Sequence, residues 1–299
     1  MNDSLVQIDP TPRPRLPEWA RKPRTHFDAL HGLKREFRRL RLHTVCESAR
    51  CPNIHECFSR GAATFMILGG RCTRACGFCS VPKGRVPLDP AEPAHVASMA
   101  ASLDLRYVVI TSVNRDDLAD GGSDHFAATV RSVRAALPQA RVEVLTPDFC
   151  GDLDAVKRVL DAGPHVFNHN IETVPRLYRR VRPQADYAQS LRVLAFASRH
   201  SGGALVKSGL MVGLGETEGE VQELLADLLA SGVSVATIGQ YLQPTRRNLP
   251  VSSYIEPAQF ERYREYGLAL GFQMVFSGPL VRSSYMAETV DEETRRRAC

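Results

Sequence analysis

From residue 62 onward, short apolar runs alternate with segments of helical periodicity. The apolar runs predict six strands, at Thr64–Leu68, Tyr107–Thr111, Val142–Thr146, His165–Asn168, Leu205–Val212 and Val235–Tyr241. The segments between them predict helices at Pro93–Leu103, Asp124–Leu137, Leu153–Ala162, Tyr187–Arg199 and Glu218–Ala230. The last helix has the clearest pattern, with an apolar stripe at i, i+3, i+4, i+7 and i+8 from Val221.

Repeated strand–helix alternation predicts a parallel sheet with right-handed crossovers. Such a sheet is a barrel when it is closed or nearly closed, and a doubly wound sheet when it is open. No G-x-G-x-x-G follows any predicted strand, which disfavours dinucleotide binding. We expect an α/β fold, a partial (β/α)6 TIM-type barrel over residues 62–271. An N-terminal extension (1–61) and a C-terminal extension (272–299) flank it.

Unusual polar sequence collects in the loops that follow the predicted strands. After the first strand comes GGRCTRACGFC, and after the second comes SVNRDDLADGG. The fourth strand is followed by NHNIET and the fifth by GLGET. In a β/α barrel the loops after the strands form the face that holds the active site, so we expect the functional residues there.

Six of the eight cysteines fall within 34 residues. They form two triplets, Cys46-x4-Cys51-x5-Cys57 and Cys72-x3-Cys76-x2-Cys79. Three thiolates are one short of the four ligands of a closed zinc site or an ordinary ferredoxin cluster, which leaves a position for another ligand. A structural zinc site or a disulfide knot remains an alternative for the first triplet, with His43 or His55 as a fourth zinc ligand. Cys150 and Cys299 lack partners at metal spacing, and Cys150 is expected to be a buried thiol.

Charge and composition narrow the function classes. The formal charge is +5, and residues 1–43 hold ten Lys or Arg against five acids. This basic arm can be a solvated segment, a segment that binds nucleic acid or a docking surface for an acidic protein. Its aromatic residues are sparse, which weakens the nucleic-acid interpretation. No apolar run approaches the roughly 18 residues of a membrane helix, and the N-terminus lacks a secretory pattern. We expect a cytoplasmic protein, where clustered cysteines indicate metal or redox sites.

The second triplet, with Phe78 before its last cysteine and with Gly69, Gly70 and Gly77 in the same loop, resembles the signature C-x3-C-x-aromatic-C of the radical S-adenosylmethionine (SAM) superfamily. The resemblance implies that Cys72, Cys76 and Cys79 hold a 4Fe–4S cluster whose fourth iron binds SAM. It also implies reductive cleavage of SAM to a 5′-deoxyadenosyl radical. An unrelated zinc site is the alternative.

Further blocks carry a narrower resemblance over about residues 40–287. They are TSVNRDDLADGG, NHNIETVPRLYRRVRP, KSGLMVGLGET, IGQYLQPT and GPLVRSSY, and together with VCESARCPNIHEC they look like the lipoyl synthase family. Members insert two sulfur atoms at carbons 6 and 8 of a protein-bound octanoyl-lysine. The implied partners are octanoylated lipoyl-carrier domains (2-oxoacid dehydrogenase E2 subunits and the glycine cleavage H protein), ferredoxin or flavodoxin as electron donor, and a cluster-repair protein. Neither nucleic acid nor membrane is implied.

The same resemblance implies roles for individual residues. Cys46, Cys51, Cys57 and Ser284 would hold an auxiliary 4Fe–4S cluster that donates sulfur, with Ser283 as the alternative to Ser284. Asn114, Asn170, Glu172 and Arg182 would bind SAM, and Arg282 would act beside the cluster or the substrate. Each polar residue has an ordinary alternative, because it could cap a helix, cap a turn or form a local salt bridge.

Two other functions compete with this interpretation. The first is another radical enzyme with an auxiliary cluster, such as a methylthiotransferase, which we would expect to carry a dedicated RNA-binding domain. The second is a non-enzymatic zinc or cluster protein that binds nucleic acid through the basic arm. Iron and sulfide analysis would separate an enzyme with two clusters from a zinc protein.

Overall fold

The fold is built on one eight-stranded sheet. The computed structural model describes residues 16–21, 35–48, 53 and 63–284. Within them the strands are β1 (His43–Thr44), β2 (Ala63–Ile67), β3 (Tyr107–Ser112), β4 (Arg141–Leu145), β5 (Val166–Asn168), β6 (Leu205–Val212), β7 (Val235–Gln240) and β8 (Met274–Gly278). The strands lie in the sheet in chain order.

Strand pairing defines a partial barrel. β1 pairs antiparallel with β2, and every pair from β2 to β8 is parallel, as in Phe65 opposite Ile110 and Leu210 opposite Ile238. Among the described residues, β1 and β8 stand at the two ends of the strand order, so the sheet does not close. The predicted class, an α/β fold with a partial TIM-type barrel, is confirmed.

Helices connect the strands and cover the sheet. They are α1 (Val45–Ser48), α2 (Glu92–Ser102), α3 (Ser123–Ala136), α4 (Leu153–Asp161), α5 (Tyr178–Val181), α6 (Tyr187–His200), α7 (Glu218–Ala230) and α8 (Pro257–Leu270). Residues 35–39 are also helical. The apolar stripe predicted for α7 is buried at four of its five positions, and a capping box between Thr217 and Glu220 starts this helix. No helix in the described part of the chain is long and apolar enough to span a membrane.

The six predicted strands and five predicted helices agree with the structure to within one or two residues at each end. The sheet also contains β1 and β8, which come from segments that we expected to lie outside the repeat. Helix α8 was not predicted either, because its sequence PAQFERYREYGLAL is polar over most of its length. A left-handed Gly271 (φ 119°) ends α8 and leads the chain into β8.

Candidate active site

The loop after β2 places the three cysteines of the second triplet around one cavity. Cys72 is buried, Cys76 and Cys79 are half-buried, and all three line a cavity of about 180 Å³, here named the thiol pocket. The loop is fixed by backbone hydrogen bonds from Cys72 N to Pro82 O (2.9 Å) and from Gly84 N to Cys72 O (3.0 Å). These bonds hold the cysteine loop in one conformation at the carboxyl end of the first parallel strand, where a barrel has its active site.

The environment of these thiols suits ligation by a cluster. The backbone N–H groups of Arg74 and Asn114 lie 3.5 and 3.4 Å from Cys72 Sγ, and such N–H···S contacts tune cluster potentials. Burial raises the pKa of Cys76 to about 11, although the positive charge of Arg182 opposes the shift. Burial also raises the pKa of Cys79. Bound iron is the kind of charge that keeps such thiolates deprotonated.

A single metal ion fits this pocket less well than a cluster does. Among the described residues, no three His, Cys, Asp or Glu side chains converge closely enough to hold one ion. In a 4Fe–4S cluster each thiolate binds a different iron, so the three sulfurs can lie further apart than in a zinc site. The donor set of the thiol pocket therefore fits an iron–sulfur cluster.

An arginine inside the cysteine motif anchors the loop to the barrel. Arg74 is 3% exposed and forms two bonds to Asp148 (2.7 and 2.9 Å) and two to Asp116 (2.7 and 3.0 Å). Although burial of Asp148 opposes it, the Arg74 guanidinium holds the pKa of that carboxyl at about 2. The sequence analysis did not predict the pairing of Arg74 with Asp116 and Asp148. The one indication in the sequence is an arginine between two cysteines of the motif.

The thiol pocket also has polar lining residues, here named the polar wall. Asn114, Asn170, Glu172 and Arg182, the four residues predicted to bind SAM, all line this cavity. Several buried polar atoms here have no hydrogen-bond partner in the described part of the chain. They are Ser112 Oγ, Asn114 Oδ1, His169 Nε2 and Asn170 Oδ1. Buried polar atoms are normally paired, so this group fits a polar ligand such as SAM.

Glu172 and Arg182 are positioned by backbone contacts. Glu172 has a left-handed backbone (φ 69°), held by hydrogen bonds from its N to Gly209 O and from Met211 N to its O, both 2.9 Å. Burial raises the pKa of its carboxyl, while Arg182 and Asn170 oppose the shift. Arg182 Nη1 donates to Asn170 O at 3.0 Å. Strained backbone of this kind clusters at functional sites.

A second cavity, here named the apolar cleft, opens beside the thiol pocket. Its volume is about 370 Å³, and its walls include Leu210, Met211 and Leu242. The two cavities share five lining residues, so they are contiguous. The shared residues are Val45, Phe78, Leu145, Asn170 and Glu172.

The C-terminal segment 281–284 forms one wall of the apolar cleft. Arg282, Ser283 and Ser284 all line this cavity, as expected for residues near the barrel mouth. Asn170 Nδ2 donates to Ser283 Oγ at 2.7 Å and to Glu172 Oε1 at 3.1 Å, so one amide joins the segment to the polar wall. Gly239 is required for this approach, because a Cβ there would overlap the carbonyl of Val281.

Most of the first triplet falls outside the described residues. Cys51 and Cys57 lie there, and Cys46 lies on α1 without a described side chain. The neighbouring Val45 lines both cavities. Asn53 Nδ2 donates to Leu280 O at 2.7 Å. The start of the triplet is therefore close to the cleft, and its role as a cluster site remains a prediction.

One smaller expectation is wrong, and two nearby histidines have backbone partners. Cys150 was expected to be buried, but its thiol is exposed because a left-handed backbone (φ 55°) turns it outward, 3.4 Å from Asp116 Oδ1. His165 and His169, which are spaced by four, both bond to backbone atoms. His165 Nδ1 accepts from Val142 N (3.0 Å), and His169 Nδ1 lies 2.9 Å from Thr146 O.

Comparison with solved structures supports the fold. Methylornithine synthase is 15% identical, with a TM-score of 0.56 covering 89% of this chain and 87% of that one. The FeFe-hydrogenase maturase HydG from Carboxydothermus hydrogenoformans is 13% identical, with a TM-score of 0.55 covering 91% and 84%. At these identities the likeness shows the fold alone.

Comparison with sequences is closer. The model of the radical SAM superfamily matches residues 66–228, and that of the N-terminal domain of lipoyl synthase matches residues 2–51. The lipoyl synthase of Rubrobacter xylanophilus is 57% identical over 89% of this chain and 83% of its own. That of Thermus thermophilus is 52% identical over 98% and 92%. The chain therefore belongs to the lipoyl synthase family of the radical SAM superfamily.

Proposed function

We propose that this lipoyl synthase family member inserts sulfur at carbons 6 and 8 of an octanoyl chain linked to a lysine of a carrier domain. Acids, bases and ordinary nucleophiles cannot activate C–H bonds in the middle of an alkyl chain, so the reaction requires a radical. One observation supports the proposal most strongly. A pocket lined by three thiols and unpaired polar atoms opens directly into an apolar cleft.

Cys72, Cys76 and Cys79 are proposed to hold the 4Fe–4S cluster that membership of the superfamily implies. When bound, the cluster and SAM together supply the radical that removes hydrogen from the substrate. Glu172 is proposed to accept hydrogen bonds from the ribose hydroxyl groups of SAM. Asn114 and Asn170 offer unpaired amide oxygens to the same ligand. Arg182, buried next to Glu172, is proposed to orient the Glu172 side chain and to bind a carboxylate group.

The apolar cleft is proposed to hold the octanoyl chain. Its 370 Å³ volume is within the range of about 300–1,000 Å³ that is usual for ligand sites. Leu210, Met211 and Leu242 offer apolar surface, which favours an alkyl chain and excludes water from a reactive intermediate. Arg282, at the rim beside Ser283, is proposed to orient the substrate or to face the negative charge of a cluster.

An auxiliary 4Fe–4S cluster on Cys46, Cys51 and Cys57 is proposed as the sulfur donor, with Ser284 as its fourth ligand. The contact between Asn53 and Leu280 supports this pairing, because it joins the cysteine segment to the serine segment. Ser283 already bonds to Asn170, so Ser284 is the better candidate. A serine oxygen is a harder ligand than a thiolate and suits a cluster that is taken apart.

The proposed partners follow from this chemistry. The substrate is an octanoylated carrier domain, such as a 2-oxoacid dehydrogenase E2 subunit or the glycine cleavage H protein. Reduction of the cluster needs a one-electron donor such as ferredoxin or flavodoxin. Replacement of the consumed cluster needs a repair protein.

The radical cluster is tested with Cys76→Ala. This variant should form no 5′-deoxyadenosine from SAM under anaerobic reducing conditions, measured by chromatography. Cys150→Ser is the matched control, because Cys150 lies outside the pocket lining, and it should keep the activity. Normal 5′-deoxyadenosine formation by Cys76→Ala would refute the assignment.

The auxiliary cluster is tested by replacing Cys46, Cys51 and Cys57 with Ala together. Cleavage of SAM should continue, sulfur insertion should stop, and iron should fall from about eight to about four atoms per chain. Ser284→Ala should likewise lose lipoyl product, whereas Ser283→Ala should not lose iron. Full iron content and normal product in Ser284→Ala would exclude Ser284, and lipoyl product from the triple variant would place the sulfur donor elsewhere.

A further inference from the structure

The backbone of the cysteine loop is hydrogen-bonded to two other segments of the chain. Gly77, which follows Cys76, donates from its N to Val181 O at 2.8 Å. Its carbonyl accepts from Leu249 N (3.0 Å) and from Asn248 Nδ2 (3.2 Å). The loop backbone therefore lies between α5 and the segment 245–249 that follows β7.

These two segments carry exposed positive charge. Arg179 and Arg180 lie on α5, Arg246 and Arg247 lie in the other segment, and these four residues are named here the arginine collar. Each side chain is exposed, and none forms an ion pair with any residue in the described ranges. Neither 175–185 nor 241–255 contains an acidic residue. Both collar segments therefore carry exposed positive charge and no acidic residue of their own, which favours the approach of an acidic surface.

The two segments that carry the collar contact the backbone of the cysteine loop. A Cβ on Gly77 would stand 3.2 Å from Arg180 O and 2.7 Å from Leu249 Cδ1, so both segments touch the loop. Asn248 also donates to the carbonyl of Cys79 at 3.0 Å. A protein docked on the collar would approach the cluster through this loop.

We propose that the arginine collar docks a small acidic protein that delivers the electron to the cluster. This proposal rests on the proposed function, because only a redox cluster needs such a partner. In the step itself the donor loses one electron and the cluster gains one, and no bond forms or breaks. Charge complementarity sets orientation and on-rate more than total affinity, which suits a partner that must leave after each transfer.

The test compares the double variant Arg246→Glu with Arg247→Glu and a matched control, Arg192→Glu with Arg199→Glu. The control makes the same charge change on exposed arginines of α6. The probe is a recombinant acidic flavodoxin, whose Kd for each anaerobically prepared protein is measured by calorimetry at low and high salt. We expect at least about a tenfold loss of affinity for the collar variant at low salt, and none for the control. The milder Arg246→Gln with Arg247→Gln should show a smaller loss.

A second measurement distinguishes loss of flavodoxin docking from general damage to the enzyme. Formation of 5′-deoxyadenosine is followed with the flavodoxin and, separately, with dithionite, a small reductant that needs no docking surface. The collar variant should be slower with flavodoxin and unchanged with dithionite. An unchanged Kd for flavodoxin would overturn the proposal, as would an equal loss with both reductants.

The remaining outcomes also decide the proposal. Weaker binding of the octanoylated carrier domain with normal binding of flavodoxin would assign the collar to the substrate protein and overturn the inference. Failure of the proposed function would give a different result from failure of the docking proposal. The unmodified protein would then make 5′-deoxyadenosine with flavodoxin but no lipoyl product, and the effect of the collar on flavodoxin affinity would stand.

Discussion

Replacing Arg74 with Met should destabilise the protein strongly, because the change leaves a buried carboxylate without its partner. Asp148 is 0% exposed, and of its hydrogen bonds to described side chains and backbone its carboxylate would keep only the one from the backbone N–H of Cys150, at 3.1 Å from Oδ1. Removing one partner of a buried ion pair costs about 3–5 kcal/mol. Asp116 is 30% exposed and can be hydrated again, so it adds little to the cost.

The loss is large against the total stability of a folded domain, which is about 5–15 kcal/mol. At about 2–4 °C for each kcal/mol, Arg74→Met should lower the Tm by at least about 6 °C. The assay is thermal unfolding followed by circular dichroism, under anaerobic reducing conditions, with iron content measured in parallel. We expect less bound iron as well, since Arg74 holds the loop that carries Cys72 and Cys76.

Two companion variants test the reasoning. Adding Asp148→Asn to Arg74→Met removes the unpaired charge and should restore more than half of the lost stability. Arg264→Met breaks an exposed pair with Glu261 and should leave the stability almost unchanged. A loss below about 1 kcal/mol in Arg74→Met, or no recovery with Asp148→Asn, would refute the argument from burial.

Three further predictions concern the cavity walls. Burial lowers the pKa of His169 to about 4. As the pH falls, this histidine is therefore protonated in the unfolded chain before it is protonated in the folded one. About 3 kcal/mol of stability should be lost as the pH falls from 6.5 to 4. Urea titrations should show a flatter profile for His169→Gln. Gly239→Ala should push segment 281–284 outward and reduce sulfur insertion more than SAM cleavage in product assays, whereas Gly219→Ala, with open space around it, should change neither. Asn170→Ala, which loses its bonds to two side chains, should raise the KM for SAM in steady-state kinetics.

The charge distribution around the thiol pocket links the two sets of proposals. The inward-facing Arg182 lies beside Glu172, whereas Arg179 and Arg180 on the same short stretch face solvent. Positive charge therefore surrounds the cysteine loop from both sides. A cluster bound by these cysteines would be negatively charged, so this arrangement would favour its reduced form, in keeping with the proposed acidic partner.

The sequence determined the parts of this protein that depend on local pattern. Periodicity located six strands and five helices, because alternation of apolar and polar residues reflects which face of each element is buried. Cysteine spacing grouped Cys72, Cys76 and Cys79 as candidate ligands, because three thiols on one loop need no distant partner to identify them. Loops after strands located Asn114, Asn170 and Glu172 at one end of the barrel.

Only the tertiary structure decided the features that join distant parts of the chain. Arg74 meets Asp148 across 74 residues, and Asn170 meets Ser283 across 113 residues. The run that became β8 gave no sign of its pairing with β7, because strand partners are chosen by the whole sheet. The exposure of Cys150 depends on a left-handed turn that its residue type does not predict. Contacts of this kind arise from packing of elements that are remote in sequence, so no local pattern records them.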